Sequence, residues 1–421
     1  MKSLDRLKRP LVGVVVAGCG RYEATPMGGY PLAVFRIALL VPQILLCALI
    51  AYTLITALWG WHNPKAAPVG RRLRQFIVAI PAHDEEKVVA SVVGDLLAGD
   101  YPSDLVAVWV VADRCTDGTV AAARSAGATV AERTDGSGGK GAALSWFLER
   151  HPLEEGAALV VLDADNRIPP TLLARFSDEL DRGAVAIQAY LDTTRPGDSW
   201  VSLASALSYW AGNRMVQLSR HNLGWSVDLG GTGMCFTDGA LRAAGGFAES
   251  LVEDQDLAVR LALAGIGITW MHDVRVRDEK PSAVSVVLRQ RARWAAGKRQ
   301  VARRHLGRLL GMGLSRFRWR HVDQAIRLVQ PSRMFVALLS SCLAVTAALT
   351  TSRWLLPWQV WAIAGGLLFV APVPFLVREG VPWRWVARYP LLAGLALLWI
   401  PVQVLSRRVD RWTHTPHRGE V

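Results

Sequence analysis

Along the chain, hydrophobic and polar positions fall into two patterns. Uncharged apolar runs occupy Ile37–Trp61, 334–352, 354–377 and 389–406, each near or above the roughly 18 residues that a helix needs to cross hydrocarbon. A buried core helix is the other reading of any one run, but three in succession at the C-terminal end predict membrane-spanning helices. Between the first run and the second, short apolar stretches alternate with helical patterns, as in a layered α/β domain. The pattern predicts strands at 76–80, 106–111, 158–162 and 184–189, with helices near 84–98, 116–125 and 140–149. Polar residues crowd the C-terminal ends of these strands, where open parallel sheets bind ligands.

After this domain the pattern turns basic and amphipathic. Val284, Val287 and Leu288 are apolar, and eight Lys or Arg lie between Arg289 and Arg308. A helix lying in the membrane interface has this character, as has a solvated basic helix packed on its own domain. The expected division is an N-terminal basic segment (1–31), a transmembrane helix (32–61), a catalytic α/β domain (72–281), interfacial amphipathic helices (282–332), a C-terminal transmembrane region of about three helices (333–406) and a basic tail (407–421). The stretch from Leu11 to Cys19 follows Lys2, Arg6, Lys8 and Arg9 but is short and broken by Gly13 and Gly18, so it is expected to remain uncleaved.

Composition sharpens this picture. The chain has 421 residues, 51% of them hydrophobic, which excludes a disordered protein. Its formal charge of +13 concentrates beside the apolar runs, at Arg71, Arg72 and Arg74 and again between Arg289 and Arg333. That placement suits anionic lipid headgroups on the cytoplasmic leaflet, and no nucleic-acid partner is expected. Cys19, Cys47, Cys115, Cys235 and Cys342 show no metal-binding or disulfide spacing. A metal, if used, must be held by oxygen.

The most informative segment is Leu159-Val-Val-Leu-Asp163-Ala-Asp165-Asn166, in which an apolar strand delivers two carboxylates into a loop. Two such groups need a cation or solvent, and a hard divalent ion bridging to a diphosphate meets that need. A solvated strand-to-loop junction carries the same residues, because Asp favours turns. Context favours the ion. Upstream, Asp84 and Glu85 close one strand and Asp113 closes the next. Asp113 offers an acceptor for a uracil N–H, or simply begins a turn; Asp84 also suits a helix N-cap. The loop Asp135-Gly-Ser-Gly-Gly-Lys140-Gly opens a helix as a phosphate cradle does, without P-loop spacing. Small residues at Gly230-Gly-Thr232-Gly233 would let a backbone approach a sugar. In Val252-Glu253-Asp254 one carboxylate suits a general base, although acids in a first helical turn also serve the dipole. Arg293 and Trp294, with Gln290 before them, offer a diphosphate clamp and a flat face for a sugar, or an interfacial anchor. Trp146, Trp200, Trp210, Trp225 and Trp270 are expected in packing rather than on sugars.

In this order, over 76–297, the segments closely resemble the membrane-integrated family 2 glycosyltransferases, the group containing cellulose, chitin, hyaluronan and poly-N-acetylglucosamine synthases. The resemblance implies a GT-A type nucleotide-sugar-binding domain, α/β in class, with interfacial amphipathic helices and flanking transmembrane α-helices. It implies that Asp163 and Asp165 bind a divalent metal (Mg2+ or Mn2+), Asp163 also contacting the donor. Asp84, Glu85 and Asp113, with Lys140, would hold the nucleotide of a UDP-sugar. Asp254, beside Glu253, would be the base of the family's Thr-Glu-Asp motif, whose threonine is Val252 here. Gln290, Arg293 and Trp294 match Gln-x-x-Arg-Trp in full and would close over donor and acceptor, with Thr232 and Gly233 on the acceptor side. The implied reaction inverts the anomeric centre. The expectation is a growing polysaccharide as acceptor; a lipid or lipid-linked acceptor is the near alternative, and an inactive nucleotide-sugar-binding scaffold a more distant one. The expected setting is multi-pass in the plasma (inner) membrane, with a cytosolic catalytic domain and export or secretion subunits as protein partners. Four spans would put both termini outside, against the positive-inside tendency of Lys2, Arg6, Arg407, Arg408 and Arg411.

Overall fold

The computed structural model describes residues 29–64, 73–350 and 354–409. The expectations for residues 1–28, for Arg71 and Arg72 and for 410–421 lie outside these. After α1 (Gly29–Ala57) comes a seven-stranded sheet in the order β3-β2-β1-β4-β6-β5-β7. Strands β1 (Phe76–Ala82), β2 (Val106–Asp113), β3 (Thr129–Arg133) and β4 (Ala158–Val161) are parallel, as are β5 (Ala186–Thr193) and β7 (Thr269–Asp278). Strand β6 (Met234–Thr237) runs antiparallel between β4 and β5. Its start therefore reaches the same edge as the ends of β1, β2, β4 and β7. Strands β3, β6 and β7 had no clear pattern in the sequence, and β5 begins later and runs further than expected.

The central strands are apolar on both sides, as a sheet covered on both faces requires. Helices α2 (Val89–Leu97), α3 (Thr119–Ser125) and α5 (Leu172–Asp181) cover one face. Helices α4 (Lys140–Arg150), α6 (Trp200–Gly212), α8 (Asp238–Ala244) and α9 (Glu253–Leu263) cover the other, with a π-helical turn (Asn213–Leu218) and α7 (Ser219–Asn222) following α6. Both α2 and α3 start later than the periodicity suggests. Asp84 (φ 57°) and Arg114 (φ 56°) each adopt a left-handed conformation just past a strand, which turns the chain before a helix can begin.

A long helix, α10 (Val284–Ser315), and α11 (Trp319–Val329) follow. Val286, Val287, Ala292, Val301 and Leu309 of α10 face protein, while Arg303, Arg304 and Arg308 face outward. The remaining helices are α12 (Arg333–Thr350), α13 (Trp358–Val370), α14 (Pro372–Arg378), α15 (Trp383–Val386), α16 (Leu392–Leu397) and α17 (Trp399–Leu405). Four stretches are long and apolar enough to cross a membrane: Ile37–Trp61, Arg333–Thr350, Trp358–Arg378 and Trp383–Arg408. Ile50 of α1 packs with Val336 and Leu368 of α12 and α13. Gly365 lies against Ala337 and Ser340 of α12, the small-residue contact that draws helices together in lipid. The core behind α6 continues without a break into Met334, Leu376, Tyr389 and Leu392. Catalytic domain and apolar helices thus share one packed interior.

Candidate active site

Everything that the sheet edge gathers opens into one cavity of about 620 Å³. Two residues past β4 stands Asp163, whose backbone N–H donates to Asn166 Oδ1 and Thr232 Oγ1, both at 3.0 Å. Thr232 in turn donates to Asn166 Oδ1. These buried bonds fix the turn that aims Asp163 and Asp165 into the cavity. Thr232 thus lines the cavity and holds the carboxylate turn, while Gly233 (φ 62°) packs on Val276 and Ala189 outside the lining. Gly230 and Gly231 add backbone to the same wall.

Lys140, at the first position of α4, bonds to Asp163 and donates to the Gly231 carbonyl at 2.6 Å. Burial alone would lower its pKa, but Asp163, Glu253 and Asp254 together raise it. Lys140 stays charged. Helix α4 reaches this position because Gly141 lies so close to the Ala248 carbonyl and Glu253 that any side chain would collide. Opposite, Glu253 is buried and Asp254 half-buried in the cavity wall. Asp254 is pushed up to about 7, first by burial and then by the charge of Glu253. Glu253 is also raised, by burial.

Helix α10 closes the cavity with Gln290, Arg291, Arg293 and Trp294. It is latched to the turn carrying Asp254: Arg293 donates to the Leu251 carbonyl at 3.2 Å. A β-carbon on Gly297 would stand 2.7 Å from the Val252 methyls. On the far wall Glu85 and Asp113 line the cavity but Asp84 does not. Asp84 accepts from the Thr116 N–H at 2.6 Å, tying two strand-end loops together rather than capping a helix. Asp113 is gripped by Arg133 (2.7 Å) and Arg114 (3.3 Å).

Sequence reading missed Asp278, Lys280 and Tyr209, which also line the cavity. Lys280 pairs with Asp278 at 2.6 Å and sits 3.6 Å from the centroid of the Tyr209 ring. The Asp-x-Lys at the end of β7 is the only local signal, and it has no distinctive spacing. None of Trp146, Trp200, Trp210, Trp225 and Trp270 lines the cavity; Trp210 and Trp270 are core.

The residues suit a hard cation. Asp163 and Asp165 offer oxygen only, and the ammonium of Lys140 already occupies one of them, which marks the spot as one that favours positive charge.

Comparison with known proteins bears on the family and the fold. The family model described as "Glycosyltransferase like family 2" matches residues 74–297. A β-monoglucosyldiacylglycerol synthase of Synechocystis sp. is 31% identical over 247 residues, covering 53% of this chain and 47% of that protein. A probable glucomannan 4-β-mannosyltransferase of Oryza sativa subsp. japonica is 26% identical, covering 54% and 44%. The chain thus spans about half the length of the curated relatives it matches. Among solved structures, a mannosyltransferase from Pyrobaculum calidifontis, in complex with GDP-Man and Mn2+, superposes with a TM-score of 0.50 at 22% identity, covering 81% of this chain and 97% of that one. That likeness is one of fold.

Proposed function

The chain belongs to glycosyltransferase family 2, and from that premise we propose that its cavity transfers a sugar from a nucleotide diphosphate donor to a hydroxyl presented at the membrane surface. The observation that carries this reading is Asp254, a carboxylate pushed up to about 7 inside a cavity that also holds Asp163, Asp165 and Lys140. A base with that affinity takes a proton effectively near neutral pH. Asp254 removes the proton of the acceptor hydroxyl as its oxygen attacks the anomeric carbon. The bond from that carbon to the diphosphate breaks in the same displacement, so the configuration inverts. Asp163 and Asp165 would hold a divalent ion, which neutralises charge on the leaving diphosphate. Lys140 adds a fixed positive charge beside them, and Glu253 sustains that charge. Glu85 and Asp113 face the nucleoside, the uridine of UDP by resemblance. Gln290, Arg293 and Trp294 cover donor and acceptor.

For the acceptor we favour a lipid or lipid-linked hydroxyl. The cavity wall formed by α6 shares its core with the apolar helices, and α10, which closes the cavity, packs on α17. A polysaccharide acceptor is the second reading, supported by the similarity to glucomannan synthases. The catalytic domain would face the cytosol, where nucleotide sugars are made.

The test is release of UDP by purified protein with Mn2+ or Mg2+ across a panel of UDP-sugars, beside Asp254→Asn and Asp165→Ala. Turnover with one donor, lost in both variants, is expected, and sizing the product separates glycolipid from polymer. Undiminished turnover in Asp254→Asn would overturn the assignment of the base.

A further inference from the structure

The segment Trp383–Arg408 is long and apolar enough to cross a membrane, yet its place in the fold is incompatible with crossing. Its first helix, α15, packs on α6, and the Trp385 ring would lie 3.0 Å from a β-carbon on Gly197, in the loop that carries the cavity residues Arg195 and Asp198. Its last residues are tied to α10: Arg299 donates to the Ser406 hydroxyl and carbonyl, both at 2.7 Å. One end therefore sits on the catalytic domain and the other on α10, the helix that closes its cavity. A crossing segment would carry one end about 30 Å away.

Its middle lies at the same level. Trp399 stacks on Phe335 with ring centroids 3.8 Å apart, and the Tyr389 hydroxyl is 3.4 Å from the Met334 sulfur. Met334 and Phe335 are in the first turn of α12, where that helix leaves α11 and the catalytic domain. From Tyr389 to Arg408 the chain is helical with a single break at Leu398, and it runs along α6, α12 and α10 rather than away from them.

One face remains uncovered. Trp383, Leu397, Ile400 and Val404 are 56–68% exposed, and Arg384, Arg388, Arg407 and Arg408 flank them with no acidic residue in the segment. Apolar side chains with Trp and Arg at the margins suit the boundary between headgroups and acyl chains. We infer that Trp383–Arg408 is a strap lying flat in the leaflet nearest the catalytic domain, with its exposed face in lipid. The strap borders the loop that lines the cavity, and among the described residues it leaves three crossings: α1, α12, and α13 with α14. The end of the strap then lies on the same side as the catalytic domain. Arg378, Arg384, Arg388, Arg407 and Arg408 all gather there, as the positive-inside tendency requires if that side is the cytosol.

The inference does not depend on sugar transfer. Sealed membrane vesicles with the catalytic domain outward, carrying an epitope appended after Val421, would be treated with protease. Loss of the epitope together with the catalytic domain is expected; an epitope protected until detergent is added would overturn the strap. Depth is read separately by quenching a fluorophore on Leu397→Cys with lipids brominated at different positions, the parent chain labelled in parallel as background. Strongest quenching near the headgroups is expected. Quenching strongest at the bilayer centre, or none from any lipid, would overturn lipid at this interface as the occupant.

Discussion

At Asp254 a single carboxylate is surrounded by protein, faces Glu253 and still reaches the cavity. Asp254→Asn keeps the shape and removes the basicity, so turnover should fall by roughly 10²–10⁴-fold while donor binding persists. Steady-state kinetics beside a donor-binding assay would check this. The pH dependence follows from the direction of the shift. The base works ionised, so activity should be lost as pH falls through the pKa of Asp254, which is about 7. A bound cation nearby would favour the ionised form and move that acid limb lower, so its midpoint should lie at or below pH 7 in a profile of kcat/KM. A limb centred well above 7 would point to another base. Chelation should abolish turnover and Mn2+ or Mg2+ restore it, because Asp163 and Asp165 would then lack the ion that neutralises charge on the leaving diphosphate. These acids were legible in the sequence because each ends a strand or opens a helix within a few residues of a recognisable neighbour. Asp278 and Lys280 were not, because only the course of β7 brings them to the cavity.

Among the elements, α10 and the turn before α9 act as one unit. Gly297 lets the helix lie against Val252, and Arg293 holds the Leu251 carbonyl. Gly297→Leu should force the two apart, at a cost of about 1–3 kcal/mol, and misplace Asp254 and Trp294 together. The expected result is a fall in kcat of tenfold or more in protein that still elutes as a folded species by size exclusion. The motif on α10 could be read from sequence, but its role as a latch on the base could not, since Gly297 carries no chemistry of its own. Thr232 is a similar case. Thr232 was expected on the acceptor side; it lines the cavity, and its hydroxyl also bonds to the Asp163 turn, because β6 runs antiparallel beside β4.

At the scale of the molecule, buried charges bind the first apolar helix to the rest. Tyr52 of α1 donates to Asp323 of α11, which also meets Arg220 at 3.1 Å and Arg327 at 2.9 Å. Arg327 pairs further with Asp228 at 2.7 Å. Asp323→Ala would leave the buried Arg220 without its carboxylate and Arg327 with Asp228 as its remaining one, and should destabilise the protein by about 3–5 kcal/mol. Tyr52→Phe, losing one hydrogen bond, should cost about 1–2 kcal/mol. Thermal unfolding in detergent would rank the two, and equal losses would argue against the network.

The sequence by itself determined the α/β class, the apolar stretches, the family and most of the acids of the site. All of these are written in local periodicity or in short motifs at strand ends, where chain neighbours decide the outcome. Tertiary structure alone decided which carboxylate is raised toward neutrality, which small residues permit close approach, and where the last apolar stretch runs. Burial, close packing and the position of both ends of a segment arise from residues far apart in the chain. An apolar run that packs along α6, α12 and α10 has the same composition as one that crosses a bilayer. Hydropathy counts residues and carries no record of their contacts.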